Sequence, residues 1–192
     1  MPRRSSLRRV ALHLLMLASL SSVLLVSLSS VPSVAWANVT VLKQVLPDAT
    51  VIGSGSFRWL GLKLYDASLW AARSNFNPDQ WQNAPLALEL NYARSLEGKR
   101  IADASIDEMK KLGIGNPTQH KAWGDVMKQV FPDVDKTTQL TGVYLPGQAT
   151  RFFRNGTPIG EVADPAFGPA FFAIWLHPKT TAPKLRTALL GQ

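Results

Sequence analysis

Hydrophobic and polar positions change rhythm several times along the chain, and each change predicts a different element. Val39 to Val45 alternates loosely before Leu46-Pro47-Asp48, which predicts a short strand ending in a turn. Gly53-Ser54-Gly55-Ser56 reads as a second break. No proline interrupts Phe57 to Ala72, a stretch crowded with Trp59, Leu60, Leu62, Leu64, Tyr65, Leu69 and Trp70, so a long strand bent at Gly61 is expected there. Leu86, Leu88, Leu90 and Tyr92 alternate with Ala87, Glu89 and Asn91, the signature of a strand with one buried face.

The period then lengthens. Ile101, Ile106, Met109 and Leu112 fall at helical spacings among Lys99, Arg100, Asp103, Asp107, Glu108, Lys110 and Lys111, with Gly113 as the stop. Asn116-Pro117 has the form of an N-cap followed by a first-turn proline, opening a second amphipathic helix that runs to Pro132. Strand character returns over Thr138 to Leu145 and Thr150 to Val162, where Asn155-Gly156 is a strong hairpin signal. Asp164-Pro165 begins an apolar helix through Phe167, Phe171, Phe172, Ile174, Trp175 and Leu176, and a short helix from about Pro183 to Leu190 finishes at Gly191. This order predicts an α+β fold with a large antiparallel sheet covered on one face by a layer of helices. There is no internal repeat and no dividing linker.

Ahead of this domain, Arg3, Arg4, Arg8 and Arg9 precede an apolar run from Val10 to Ser30, and Ala35-Trp36-Ala37 closes the segment with small residues where a signal peptidase reads. Residues 1 to 37 are therefore expected to be a signal peptide, cleaved between Ala37 and Asn38, with residues 38 to 192 as one periplasmic or secreted domain. An uncleaved membrane anchor is the competing reading of the same run. The absence of cysteine rules out an acylated-cysteine lipoprotein. Four of the 21 Lys and Arg leave with the leader and none of the 13 Asp and Glu does, so the mature charge is near +4. That mild excess, without a dense basic run, points to no nucleic-acid partner.

Candidate chemistry is sparse. After the leader only His120 and His177 remain, far apart and without ligand spacing, so no metal site is expected; His177 suits a helix end and His120 a solvated helix face. There is no G-x-S-x-G elbow, and Gly53-Ser54-Gly55 lacks the context of a dinucleotide loop, so no cofactor is expected either. What stands out is large apolar side chains around a few cations, namely Arg58, Arg94, Arg151 and Arg154. A guanidinium beside an apolar strand face can hold a carboxylate or enolate at the mouth of a greasy pocket, or it can snorkel from the solvent face.

Gly53-Ser54-Gly55, Lys63-Leu64-Tyr65-Asp66-Ala67-Ser68-Leu69-Trp70, Asn155-Gly156, Phe171-Phe172-Ala173-Ile174-Trp175-Leu176 and Leu189-Leu190-Gly191 together resemble the bacterial chalcone isomerase-like proteins. The resemblance implies an open-faced β-sandwich with a ligand cleft between sheet and helices. Plant chalcone isomerases hold their substrate with an Arg, a Thr, a Tyr and an Asn. Those positions fall on Phe57, Tyr65 and, on the helix, near Ile101 and Glu108, with Arg58 one residue after the first. Catalytic residues therefore stay unassigned, and chalcone cyclisation is expected to be absent. Non-catalytic members of the fold bind fatty acids through an arginine and a tyrosine. The expectation is an exported, non-catalytic protein that binds a hydrophobic small molecule with an acidic head, such as a fatty acid, through Arg58 and Tyr65, with Trp59, Leu62 and Leu64 as apolar wall. The alternatives are an isomerase (intramolecular lyase) acting on a phenolic or enolic substrate, and a structural partner of a membrane complex with its cleft filled.

Overall fold

The computed structural model describes residues 42–192, so the predicted leader and its cleavage site lie outside the described residues. Six strands form one antiparallel sheet in simple sequential order: β1 (Thr50–Trp59), β2 (Leu62–Ala71), β3 (Leu86–Tyr92), β4 (Gln139–Tyr144), β5 (Thr150–Arg154) and β6 (Thr157–Val162). Among the described residues it is joined by four longer helices, α1 (Gly98–Lys111), α2 (Pro117–Val130), α3 (Phe167–Leu176) and α4 (Pro183–Leu189), and a short 3-10 helix, Pro78–Asn83. The helical layer and the sheet face beneath it share one large core, in which Leu69, Leu86, Met109, Met127, Phe167, Phe172, Leu176 and Leu189 are wholly buried. The α+β architecture expected from the alternating periods is the one observed.

Local chemistry accounts for the helices. Asn116 accepts the Gln119 amide at 3.0 Å while the Gln119 side chain accepts the Asn116 amide at 3.1 Å, a reciprocal capping box that starts α2. The α3 sequence is apolar on every side, which suits only a helix surrounded by protein, and nine of its ten residues are buried. Trp123 of α2 donates its indole N–H to Asp164 at 2.9 Å, tying the second helix to the approach to α3.

The sheet corrects four sequence expectations. Residues 42–45 form a helical turn, not a strand: Leu42 and Leu46, four apart, bury themselves against Ala87, Val143 and Phe153 on the sheet's second face. That cover is why β3 is buried on both sides and not one, with Ala87 fully enclosed and Glu89 only 9% exposed. Gly53 and Gly55 are not a break; they lie inside β1, where α4 crosses so closely that a Cβ on Gly53 would overlap the Ala188 carbonyl and one on Gly55 would sit 2.9 Å from Leu185 Cδ1. The long strand bent at Gly61 is instead a hairpin. Leu60 and Gly61 take φ of 48° and 80°, and the positive sign at both central residues closes a two-residue turn between β1 and β2. Asn155 and Gly156 make the same turn between β5 and β6, with φ of 48° and 79°, as their sequence predicts.

Candidate functional site: a cavity between the sheet and the helical layer

Between the sheet and helices α1 and α3 lies a cavity of about 510 Å³, within the roughly 300–1,000 Å³ of ligand pockets. Phe131, Phe152 and Phe171 line it as one cluster, with ring centroids 4.9, 5.4 and 6.1 Å apart. An aromatic path continues from this cluster. Trp175 lies 5.3 Å from Phe171, donates its indole N–H to the Tyr65 hydroxyl at 3.0 Å, and Tyr65 in turn packs 5.2 Å from Phe57 and 5.8 Å from Tyr92. Strands supply the floor (Leu64, Leu88, Leu90, Leu140), and α1 supplies a wall of Ile101, Ala104 and Ser105.

Polar groups are few among the lining residues. Burial pushes the Tyr65 phenol far above its ordinary range, with the Glu108 carboxylate adding to the shift and the Trp175 hydrogen bond opposing it. Burial does the same to Tyr92. Both phenols are thus O–H groups at any physiological pH and poor bases. Glu108 accepts the Thr181 hydroxyl at 2.6 Å and the Lys111 ammonium at 2.7 Å. Arg100 is the one cation among the described lining residues; its side chain is 78% exposed and pairs with Glu97 at 3.2 Å. A wider depression of about 760 Å³ between α1 and α2 is lined by charges that satisfy one another, Lys128 with Asp103 at 2.7 Å and Lys121 with Asp125 at 2.6 Å, so nothing there calls for a ligand.

The sequence candidates separate across the sheet. Trp59, Leu64 and Tyr65 line the cavity; Arg58 and Leu62 do not. Alternation explains Arg58, because Phe57 and Trp59 face the helices while Arg58 shares the outer face with Ser54 and Ser56, and its guanidinium donates to the Gly61 carbonyl at 3.3 Å. A bulge explains how neighbours Leu64 and Tyr65 both reach inward: Phe57 pairs with Tyr65 and Arg58 with Lys63, which leaves Leu64 as the extra residue. So the β1–β2 pair does bulge near Gly61, but it gathers Leu64 and Tyr65 and leaves Arg58 outside. Leu62 sits just beyond the turn and is 48% exposed.

Several lining residues were not among those candidates. Tyr92 carried a signal, the core parity of β3, and so did Trp175, a polar atom on an otherwise apolar helix that must find a partner when buried. Arg100 and Thr181 carried none, since both lie on exposed stretches that only the tertiary fold brings to the cavity. His120 is half-buried and bonds the Ile114 carbonyl at 2.8 Å, unlike the solvated residue expected, whereas His177 does end a helix. No group of three His, Cys, Asp or Glu among the described residues is placed to hold a metal ion.

Residues 50–191 match the family model described as chalcone isomerase-like. The chain belongs to that family. A Haemophilus influenzae protein is 30% identical to it over 141 residues, which span 73% of this chain and 67% of that protein. Among solved structures, an Arabidopsis thaliana fatty-acid binding protein is similar with a TM-score of 0.57 at 12% identity, covering 75% of this chain and 87% of the other. At that identity the likeness is one of fold. Within the chalcone isomerase-like fold, the four positions onto which the resemblance carries catalytic groups, Phe57, Tyr65, Ile101 and Glu108, all line the cavity. Only Tyr65 and Glu108 bring polar atoms, and neither reproduces the cation or amide of the plant enzymes.

Proposed function

We propose that this protein is an exported, non-catalytic binder of a fatty acid or a similar single-chain amphiphile. The observation that carries the proposal is the make-up of the cavity, a lining dominated by apolar and aromatic side chains, among them the Phe131, Phe152 and Phe171 cluster, with a small polar set that includes Tyr65, Tyr92, Arg100 and Glu108. An acyl chain placed against the phenylalanines leaves water, while its carboxylate meets the Tyr65 and Tyr92 hydroxyls and the Arg100 guanidinium, the Glu108 carboxylate of the same lining being held by Lys111 and Thr181. The fatty-acid binding neighbour of the same fold supports the ligand class, and the arginine-rich, apolar amino terminus supports export. Arg100 takes the anchoring role first given to Arg58. Catalysis is disfavoured because Phe57 and Ile101 bring no functional group, and a phenol held neutral by burial does not serve as a general base.

Titration with a fluorescent fatty acid checks the assignment. Arg100→Ala is expected to weaken binding by up to about fivefold, the scale of a single solvent-exposed charge contact, and Arg58→Ala to leave it unchanged. The reverse order would return the anchor to the outer face of β1 and refute the cavity reading.

A further inference from the structure

Two hairpins of this chain share one turn backbone but not one sequence. Asn155-Gly156 carries the pair that this turn favours, whereas Leu60-Gly61 holds a leucine at φ 48°, a region costly for a residue with a branched apolar side chain. Packing does not compensate Leu60, which is 80% exposed. Its neighbours Trp59 and Leu62 are 60% and 48% exposed, so three large apolar side chains cluster in the open at one hairpin end. A residue that harms the turn and gains nothing from the core is one whose use lies outside folding.

Cations stand immediately behind this tip. Arg58 and Lys63 pair across the hairpin next to the turn, with the Lys63 ammonium held by Asp66 at 2.5 Å. The Ala93 amide bonds the Leu64 carbonyl at 2.8 Å, which brings Arg94 alongside Lys63. Trp59 belongs to both places, exposed at the tip and lining the cavity, so the apolar tip is continuous with the cavity mouth.

We infer that the β1–β2 tip is a membrane-docking element, which inserts Trp59, Leu60 and Leu62 into the headgroup region of an anionic phospholipid bilayer and sets the cavity mouth against the lipid. Indole and leucine side chains suit the boundary between headgroups and acyl chains, and the guanidinium groups of Arg58 and Arg94 behind them meet lipid phosphates. A two-residue turn is a poor protein interface, since a specific partner covers about 800 Å² per side, but a soft surface closes around a narrow tip. The inference rests on the amphiphile-binding reading for its purpose: an acyl chain that passes from bilayer to cavity at a docked mouth never exposes its methylenes to water.

Sedimentation with vesicles of phosphatidylglycerol and phosphatidylethanolamine tests it, using protein recovered from the soluble fraction. The wild type is expected to sediment with the vesicles, less so at high salt or when phosphatidylcholine replaces phosphatidylglycerol. Leu60→Asn is expected to lose about tenfold in partition, since it removes an inserted apolar side chain, and it folds because Asn155 already adopts the same backbone. Equal sedimentation of L60N and wild type, or no sedimentation of the wild type, overturns the inference. So does a wild type that ignores vesicles but self-associates through the tip, with L60N monomeric. The ligand reading is scored separately by fatty-acid titration in solution, where L60N should match the wild type. A wild type that sediments with vesicles yet binds no fatty acid would contradict the cavity assignment and leave the docking assignment standing.

Discussion

Tyr65 has two tasks in one hydroxyl group. Its oxygen accepts the Trp175 indole N–H at 3.0 Å, and its own proton remains for the cavity. Tyr65→Phe should therefore cost about 1–3 kcal/mol of stability in urea denaturation, because Trp175 Nε1 is left buried without a partner, and it should also weaken fatty-acid binding. A variant with wild-type stability would show that the indole pairs elsewhere. On the sheet's other face Glu89 is the residue to titrate: burial pushes its carboxyl above the ordinary 4.5, against hydrogen bonds from Asn91 and Gln139. The native state then holds a proton that the unfolded chain has released, so this residue's contribution is complete below 4.5 and is lost as pH rises through the folded value. Glu89→Gln should flatten that loss and exceed the wild type in stability at neutral pH. Parallel stability profiles for the two would mean that Glu89 ionises freely. At this scale the sequence named Trp59, Leu64 and Tyr65, which do line the cavity, but reading Gly53 to Ser56 as a break hid the alternation that puts Arg58 on the outer face with Ser54 and Ser56.

Among elements, those with their own start and stop chemistry were legible: the Asn116-Pro117 cap of α2, the Asn155-Gly156 hairpin, and the apolar α3. The β1–β2 hairpin was hidden because Leu60 is not a turn residue, so a continuous apolar run concealed a reversal of direction. The same fact gives a stability prediction. Leu60→Asn should raise stability by about 0.5–1 kcal/mol by easing the left-handed backbone, seen as a rise of a few degrees in Tm. A fall in Tm would mean that Leu60 packs in a way its 80% exposure does not suggest. The glycines of β1 were misread for a related reason: sequence shows that a side chain is missing but not which helix needs the space, here α4.

For the whole molecule, the layered α+β architecture followed from the order of periods, but the cavity did not, because it is bounded by residues from five strands, two helices and the loops after β3, α2 and α3. The positions that family resemblance picks out, Phe57, Tyr65, Ile101 and Glu108, line the cavity, whereas Arg58 does not. The central claim is that the cavity is occupied in the cell by a lipid-sized amphiphile. Native mass spectrometry of the protein recovered from the extracytoplasmic soluble fraction tests this most directly. The account predicts a chain that begins at Asn38 and carries a releasable adduct with the mass of a fatty acid, lost in a variant whose cavity is filled by Gly142→Phe. A chain of bare mass under gentle ionisation, which also fails to take up added fatty acid, would contradict it.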